Sequence, residues 1–257
     1  MATQIDRRKC LALLGAWPLM PARAEHRPLV MAMIRPEAQF LGRWQRLIYR
    51  DAFARVGRDV LFLDYPAARA SVELDRGAID GEGGRPFSYA ESSKNIVRLR
   101  VPLFEVNYVA FGRRGELPAI SNGWESLRDF KGVVAYKAGV YTTSTQLPKV
   151  LPMNRLVGLP ETDRGLKMLA LGRSDLYVDE EMTILSALVD EELSSLPLAR
   201  AGQLATVEVY GYLHVRHAEL AARLGDALAL MHRQGEVDRL RKRVEKEFAV
   251  SADRWRP

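Results

Sequence analysis

One short unit occurs twice in this chain. Met168 to Glu180 reads MLALGRSDLYVDE and Glu73 to Glu82 reads ELDRGAIDGE, so that Leu74, Gly77 and Asp80 recur as Leu169, Gly172 and Asp175, each 95 residues later. Each triplet has the form of a helix end, the glycine that closes it, and an acid entering a strand. Glycine after a last helical turn adopts the left-handed conformation that other residues resist, so helix, glycine, strand is a coherent unit in both places. Ordinary cap chemistry writes the same triplet in many α/β proteins. A duplicated half-molecule is the stronger constraint, and it requires matching strands around both copies.

Around the first copy, Leu29 to Ile34 is a short apolar run between Pro28 and Pro36, as in a buried strand. Leu41, Trp44, Ile48, Ala52 and Val56 share one helical face closed by Gly57, and Val60 to Leu63 makes a second strand. A second helix runs from Ala67 to Leu74, and Ala78 to Glu82 makes a third strand, completing β-α-β-α-β. Gly81 to Ser93, with three glycines and a proline, is expected as a loop at the carboxyl end of that strand, where open α/β sheets place their sites.

The pattern restarts around the second copy, with strands at Val133 to Tyr136, Arg155 to Leu159 and Asp175 to Asp179 and a helix carrying Leu166, Leu169 and Ala170. Val106 to Phe111 and Val207 to Val215 bracket this set and are expected as paired connecting strands. Leu220, Leu224, Ala227, Leu228 and Met231 then form a helix stopped by Gly235, and Val237, Leu240, Val244 and Phe248 another. The expected fold is α/β and two-lobed with a cleft between the lobes. Residues 25–109 make the first lobe, 110–206 the second, and 207–257 return to the first.

Residues 1–24 stand apart. Arg7, Arg8 and Lys9 precede the apolar run Leu11 to Met20, followed by Ala22-Arg23-Ala24, the layout of a secretory signal peptide with the mature chain starting at Glu25. The Arg7-Arg8 pair is similar to a twin-arginine signal, but Asp6 and Cys10 depart from that pattern, so either export route stays open. Cys10 is the only cysteine and precedes the apolar run, which excludes a lipid anchor through it and leaves the mature chain without disulfides or a cysteine nucleophile. No later stretch approaches the ~18 continuous apolar residues of a membrane span. Removing four of the 38 basic and one of the 32 acidic residues leaves 34 against 31, a net charge of +3, and the remaining charges are interleaved, so nucleic acid is not an expected partner.

The order of WESLRDFKGVVAYKAG, LKMLALGRSDLYVDE and VYGYLHVRHAELAARLGDALALMHRQGEVDRL, from Leu29 to about Arg243, resembles the family 3 extracellular solute-binding proteins, the amino-acid-type periplasmic receptors of ABC transporters. The resemblance implies a type II periplasmic-binding-protein fold and a small polar solute, an amino acid or organic acid, held between the lobes. It implies a monomer in the periplasm, without cofactor, that meets a membrane ABC permease or a sensor kinase.

By position, Arg85 becomes the carboxylate clamp, its guanidinium being able to make two parallel hydrogen bonds; the alternative is a salt bridge holding its loop. On this view Arg85→Ala removes affinity and leaves the fold intact. Tyr141, Thr142 and Thr143 follow Gly139 where the family holds the carboxylate on backbone N–H groups and a threonine hydroxyl, although Pro148 leaves little helix there. Either Asp179 or Glu180 receives an ammonium, since strand alternation turns one of them to the cleft. Phe40, Phe87 and Tyr89 are candidates to wall a side chain. The chain lacks the family's threonine and arginine pair after the first-lobe strand, so an ordinary α-amino-acid ligand does not follow from the resemblance.

His214 and His217 have an H-x-x-H spacing without the HExxH helix or cysteine pair that would make it a metal site. There is no phosphate loop and no G-x-S-x-G elbow, so no enzyme is expected. The runner-up is a periplasmic enzyme on the same fold, similar to cyclohexadienyl dehydratase, with Glu82, Asp179 and Glu180 as its acids and bases.

Overall fold

A computed structural model describes residues 27–121 and 123–250; the signal segment, Cys10, His26 and the expected start at Glu25 lie outside the described residues. The first half runs β1 (Leu29–Met33), α1 (Phe40–Arg55), β2 (Val60–Asp64), α2 (Ala67–Asp75) and β3 (Gly81–Pro86). A 3-10 turn over Phe87–Ser92 leads to β4 (Ile96–Arg98) and then to β5 (Phe104–Arg113). The second half runs β6 (Val134–Lys137), α3 (Tyr141–Val150), β7 (Leu156–Leu159), α4 (Thr162–Ala170) and β8 (Leu176–Glu180). Next come α5 (Glu181–Ala187), α6 (Glu191–Ser194), β9 (Leu198–His214), α7 (Ala218–Arg233) and α8 (Glu236–Glu247).

The strands form a sheet in the order β2-β1-β3-β9-β5-β8-β6-β7, with β4 paired beside β9. Strand β1 is parallel to β2 and β3, and β6 is parallel to β7 and β8, so each half places its first strand in the middle and its third inward. The antiparallel strands β5 and β9 join the halves. Helices α7 and α8 pack back onto α1, where Trp44 stacks on Phe104 at 4.4 Å and donates to the Val237 carbonyl at 3.1 Å.

The repeat holds atom by atom. Gly77 and Gly172 have φ of 72° and 68°, and each donates its N–H 3.0 Å to the carbonyl of the leucine three residues earlier, Leu74 or Leu169. Asp80 Oδ2 accepts from the Val30 N–H at 2.9 Å, and Asp175 Oδ2 from the Val133 N–H at 2.8 Å. In both halves the acid ties the start of the third strand to the first.

Three sequence expectations are corrected. The glycine-rich stretch expected as a loop is strand β3, because neighbouring elements leave no room for side chains: a Cβ on Gly81 would stand 2.6 Å from Leu213, and one on Gly84 2.9 Å from Val209. Strand β9 starts nine residues before the expected Val207. Residues 198–206 carry no clean alternation, and they pair with β5 through two register shifts. Helix α3 forms in full with Pro148 inside it, in the last turn, where few backbone bonds remain to be lost.

Candidate ligand cleft

Strand β3 carries a one-residue bulge against β9. Glu82 faces Tyr212 and Arg85 faces Tyr210, so Gly83 and Gly84 occupy the space of one residue. The Gly83 carbonyl turned out by the bulge is met from α1 by Gln45 Nε2 and, at 2.6 Å, by the Tyr49 hydroxyl, two side chains one helical turn apart. In a regular strand, residues three apart point to opposite faces; the extra residue puts Glu82 and Arg85 on the same one. Arg85 Nε therefore donates to Glu82 Oε1 at 2.5 Å, while Nη2 donates to the Ala67 carbonyl at 2.6 Å and Ser71 Oγ at 3.0 Å on α2. The Arg85 guanidinium also lies 5.0 Å from the centre of the Tyr89 ring. Burial pushes the Glu82 carboxyl above its ordinary range against the pull of Arg85, and burial with the nearby Glu82 charge pushes the Tyr89 phenol up to about 12.

The carboxyl ends of β1, β3, β6 and β8 converge on a cavity of about 290 Å³. Arg35 lies just past β1, and Arg46, buried in α1, donates to its carbonyl at 2.8 Å. From there Arg35 reaches the opposite half: Nη2 donates to Glu180 Oε1 at 2.6 Å and Nε to Oε2 at 3.4 Å, and the Tyr108 hydroxyl adds a bond to Oε1 at 3.2 Å. Burial alone would raise the Glu180 carboxyl, but the charge and hydrogen bonds of Arg35 outweigh it and hold the group below its usual range.

Asp179, one residue earlier on β8, turns away beneath α4. Its Oδ2 accepts from Thr162 Oγ1 at 2.9 Å and the Tyr177 hydroxyl at 3.1 Å, and Oδ1 from the Glu180 N–H at 2.8 Å. Burial pushes this carboxyl up to about 6, with Lys137 pulling against it and Glu180 adding to it. Lys137, at the end of β6, lines the cavity; its backbone carbonyl accepts from Thr143 Oγ1 at 3.4 Å, while its ammonium makes no hydrogen bond or ion pair among the described residues and acts on Asp179 and Glu180 through its charge alone.

Helix α3 closes the remaining side. Gly139 has φ of 81°, the chain turns through Val140, and the helix begins at Tyr141 without a side-chain cap. The first N–H groups of a helix have no acceptor within it, so those of Tyr141 and Thr142 stand at the cavity wall with the positive end of the helix dipole, while Thr143 is buried behind them. Thr142 lines the cavity and meets the Tyr108 phenol; the Thr143 hydroxyl instead turns back to the Val140 carbonyl at 3.1 Å. Past Arg85 and Tyr141 the cavity continues into a hollow of about 670 Å³ walled by Ser71, Tyr89 and Ser144.

The structure thus gathers Arg85, Asp179, Glu180, Tyr141 and Thr142 around one cavity and Tyr89 around its extension. Phe40 and Phe87 do not join them. Phe40 is buried against Phe248 at 5.9 Å, and the half-exposed Phe87 ring lies 3.3 Å under the Arg98 guanidinium. Arg35, Tyr108 and Lys137 escaped the sequence analysis. Only Arg35 had a signal there, standing between an apolar strand and Pro36 at a carboxyl end. His217 Nε2 sits 2.8 Å from Asp80 and His214 Nδ1 accepts from the Arg216 N–H at 3.3 Å; no cluster of three metal-ligating side chains occurs among the described residues.

No family model matches the chain. An uncharacterized protein of Shewanella oneidensis is 29% identical over 218 residues, which span 85% of this chain and 82% of that one. A histidine kinase sensor domain with similarity to periplasmic binding proteins aligns with a TM-score of 0.66 at 22% identity, over 86% of this chain and 97% of its own. An amino acid ABC transporter substrate-binding protein of Streptococcus pneumoniae, bound to L-arginine, aligns with a TM-score of 0.66 at 15% identity, over 87% of this chain and 96% of its own.

Proposed function

The two-lobed, type II periplasmic-binding-protein fold is the premise from which we propose that this protein is an exported receptor capturing a small solute with a carboxylate group in the interlobe cleft. One observation carries the reading: the cavity wall is built of donors and cations contributed by both halves. Arg35 and Arg85 come from the first, Lys137 and the uncapped start of α3 from the second. A carboxylate bound there satisfies donors on both sides and so favours closure of residues 25–109 and 207–257 on residues 110–206.

The receptor acts in the periplasm and hands its closed form to an ABC permease, in keeping with the likeness to a transport receptor. The likeness to a kinase sensor domain supports a sensor kinase as the other partner for the same closed form. A thermal-shift panel of amino acids, organic acids, sugars and amines tests the reading. A ligand at 100 times its Kd adds about 2.7 kcal/mol to stability. Silence of every carboxylate in the panel overturns the proposal.

A further inference from the structure

The cleft carries more information than the presence of donors, because each acid around it is already committed. An α-amino acid brings an ammonium as well as a carboxylate, and a buried ammonium requires an anionic partner. Among the described residues, the carboxylates lining the 290 Å³ cavity are Asp179 and Glu180. Both oxygens of Glu180 accept from Arg35, and one accepts from Tyr108 as well. Both oxygens of Asp179 are held on the α4 side by Thr162, Tyr177 and the Glu180 N–H. Glu82, behind Arg85, is fully buried and paired with it. Glu91, on the wall of the outer hollow, is exposed, and water screens it.

The donors are less committed. Arg35 Nη1 is buried and has no hydrogen-bond partner among the described residues. It stands beside Gly84, where a Cβ would lie 3.4 Å away, so the bulge glycine keeps the space next to this nitrogen clear. The Lys137 ammonium, though its charge is felt by Asp179 and Glu180, makes no direct hydrogen bond or ion pair among the described residues, and the first-turn amides of α3 face the same cavity. An ammonium placed near Glu180 would meet the Arg35 guanidinium at the same carboxylate and repel it. A carboxylate, carbonyl or hydroxyl oxygen in the same place would find donors.

We infer that the ligand is an organic acid without an α-ammonium group, of the 2-oxo or 2-hydroxy acid class, whose carboxylate and second oxygen are shared among Arg35, Lys137 and the start of α3. This rests on the receptor reading and narrows it.

The test is isothermal titration of the purified chain with matched pairs that differ at the α-carbon substituent: L-glutamate with 2-oxoglutarate, L-alanine with L-lactate and pyruvate, L-phenylalanine with phenylpyruvate, and L-leucine with its 2-oxo acid. The expected result is at least one pair in which the ammonium-free member binds tenfold or more tightly, and no pair with the reverse order. An amino acid binding more tightly than its ammonium-free partner overturns the inference and leaves the receptor reading standing. If no member of any pair binds, the receptor's carboxylate reading falls and the inference falls with it.

Discussion

Replacing Arg85 by alanine separates two roles that the bulge has joined in one side chain. Arg85 pairs with Glu82, and the two side chains are 12% and 0% exposed, so removing the cation strands a carboxylate with no access to water. Glu82 Oε2 already lacks a hydrogen-bond partner among the described residues, and Ser71 and the Ala67 carbonyl lose their bonds from Arg85 at the same time, keeping only the one between them. Breaking a buried pair from one side costs about 3–5 kcal/mol. The cost is bounded by chemistry, because Glu82 can take up a proton. Its carboxyl is already raised by burial, and loss of Arg85 raises it further. A raised acid contributes stability that is full below its unfolded pKa and is lost as pH rises through the folded one. The penalty of Arg85→Ala therefore grows with pH, by at most about 1.4 kcal/mol per unit. Urea denaturation of the ligand-free proteins at pH 5 and pH 8 measures it, and adding Glu82→Gln to the variant restores most of the loss at pH 8. A penalty under about 1 kcal/mol that is the same at both pH values would refute the reasoning and return Arg85 to the role of a ligand clamp that the fold does not need.

Asp80 accepts from the Val30 N–H, Arg27, Arg216 and His217; burial alone would raise it, but these partners hold its carboxyl at about 2. A depressed acid stabilises above its unfolded pKa, so Asp80→Asn should cost on the order of 2 kcal/mol at pH 7 and little at pH 2, read from urea midpoints across that range. Asp179, raised by burial to about 6, has the opposite sign: its contribution is full below about pH 4 and lost as pH climbs through 6. The stability of the ligand-free protein relative to Asp179→Asn should fall by on the order of 3 kcal/mol between pH 4 and pH 8, and a flat difference would count against the burial of this carboxyl. Gly84→Ala puts a Cβ against Gln45 and 2.9 Å from Val209, with Gln45 itself fully buried; a loss of about 1–3 kcal/mol in urea denaturation is expected, together with weaker carboxylate binding through Arg35.

Periodicity and cap chemistry made the scaffold legible, and the cleft chemistry escaped for reasons that are physical. Leu74, Gly77 and Asp80 could be matched to Leu169, Gly172 and Asp175 because a left-handed glycine and a strand-tying acid are local demands, written in adjacent residues. Composition misled at GEGGRP. Three glycines mark a loop when the cause is backbone freedom, but here the cause is crowding by side chains of β1, α1 and β9, which the linear sequence does not place nearby. Alternation narrowed the acid at the end of β8 to Asp179 or Glu180 without choosing, since the choice depends on which face α4 covers. The pair that crosses the cleft, Arg35 and Glu180, is 145 residues apart in the chain. Neither residue looks remarkable alone; a cation after a strand and an acid at the end of another are ordinary surface residues until the sheet turns both inward. Once it does, each cancels the other's charge, and it is this cancellation, more than either residue's identity, that decides which solutes the cleft can accept.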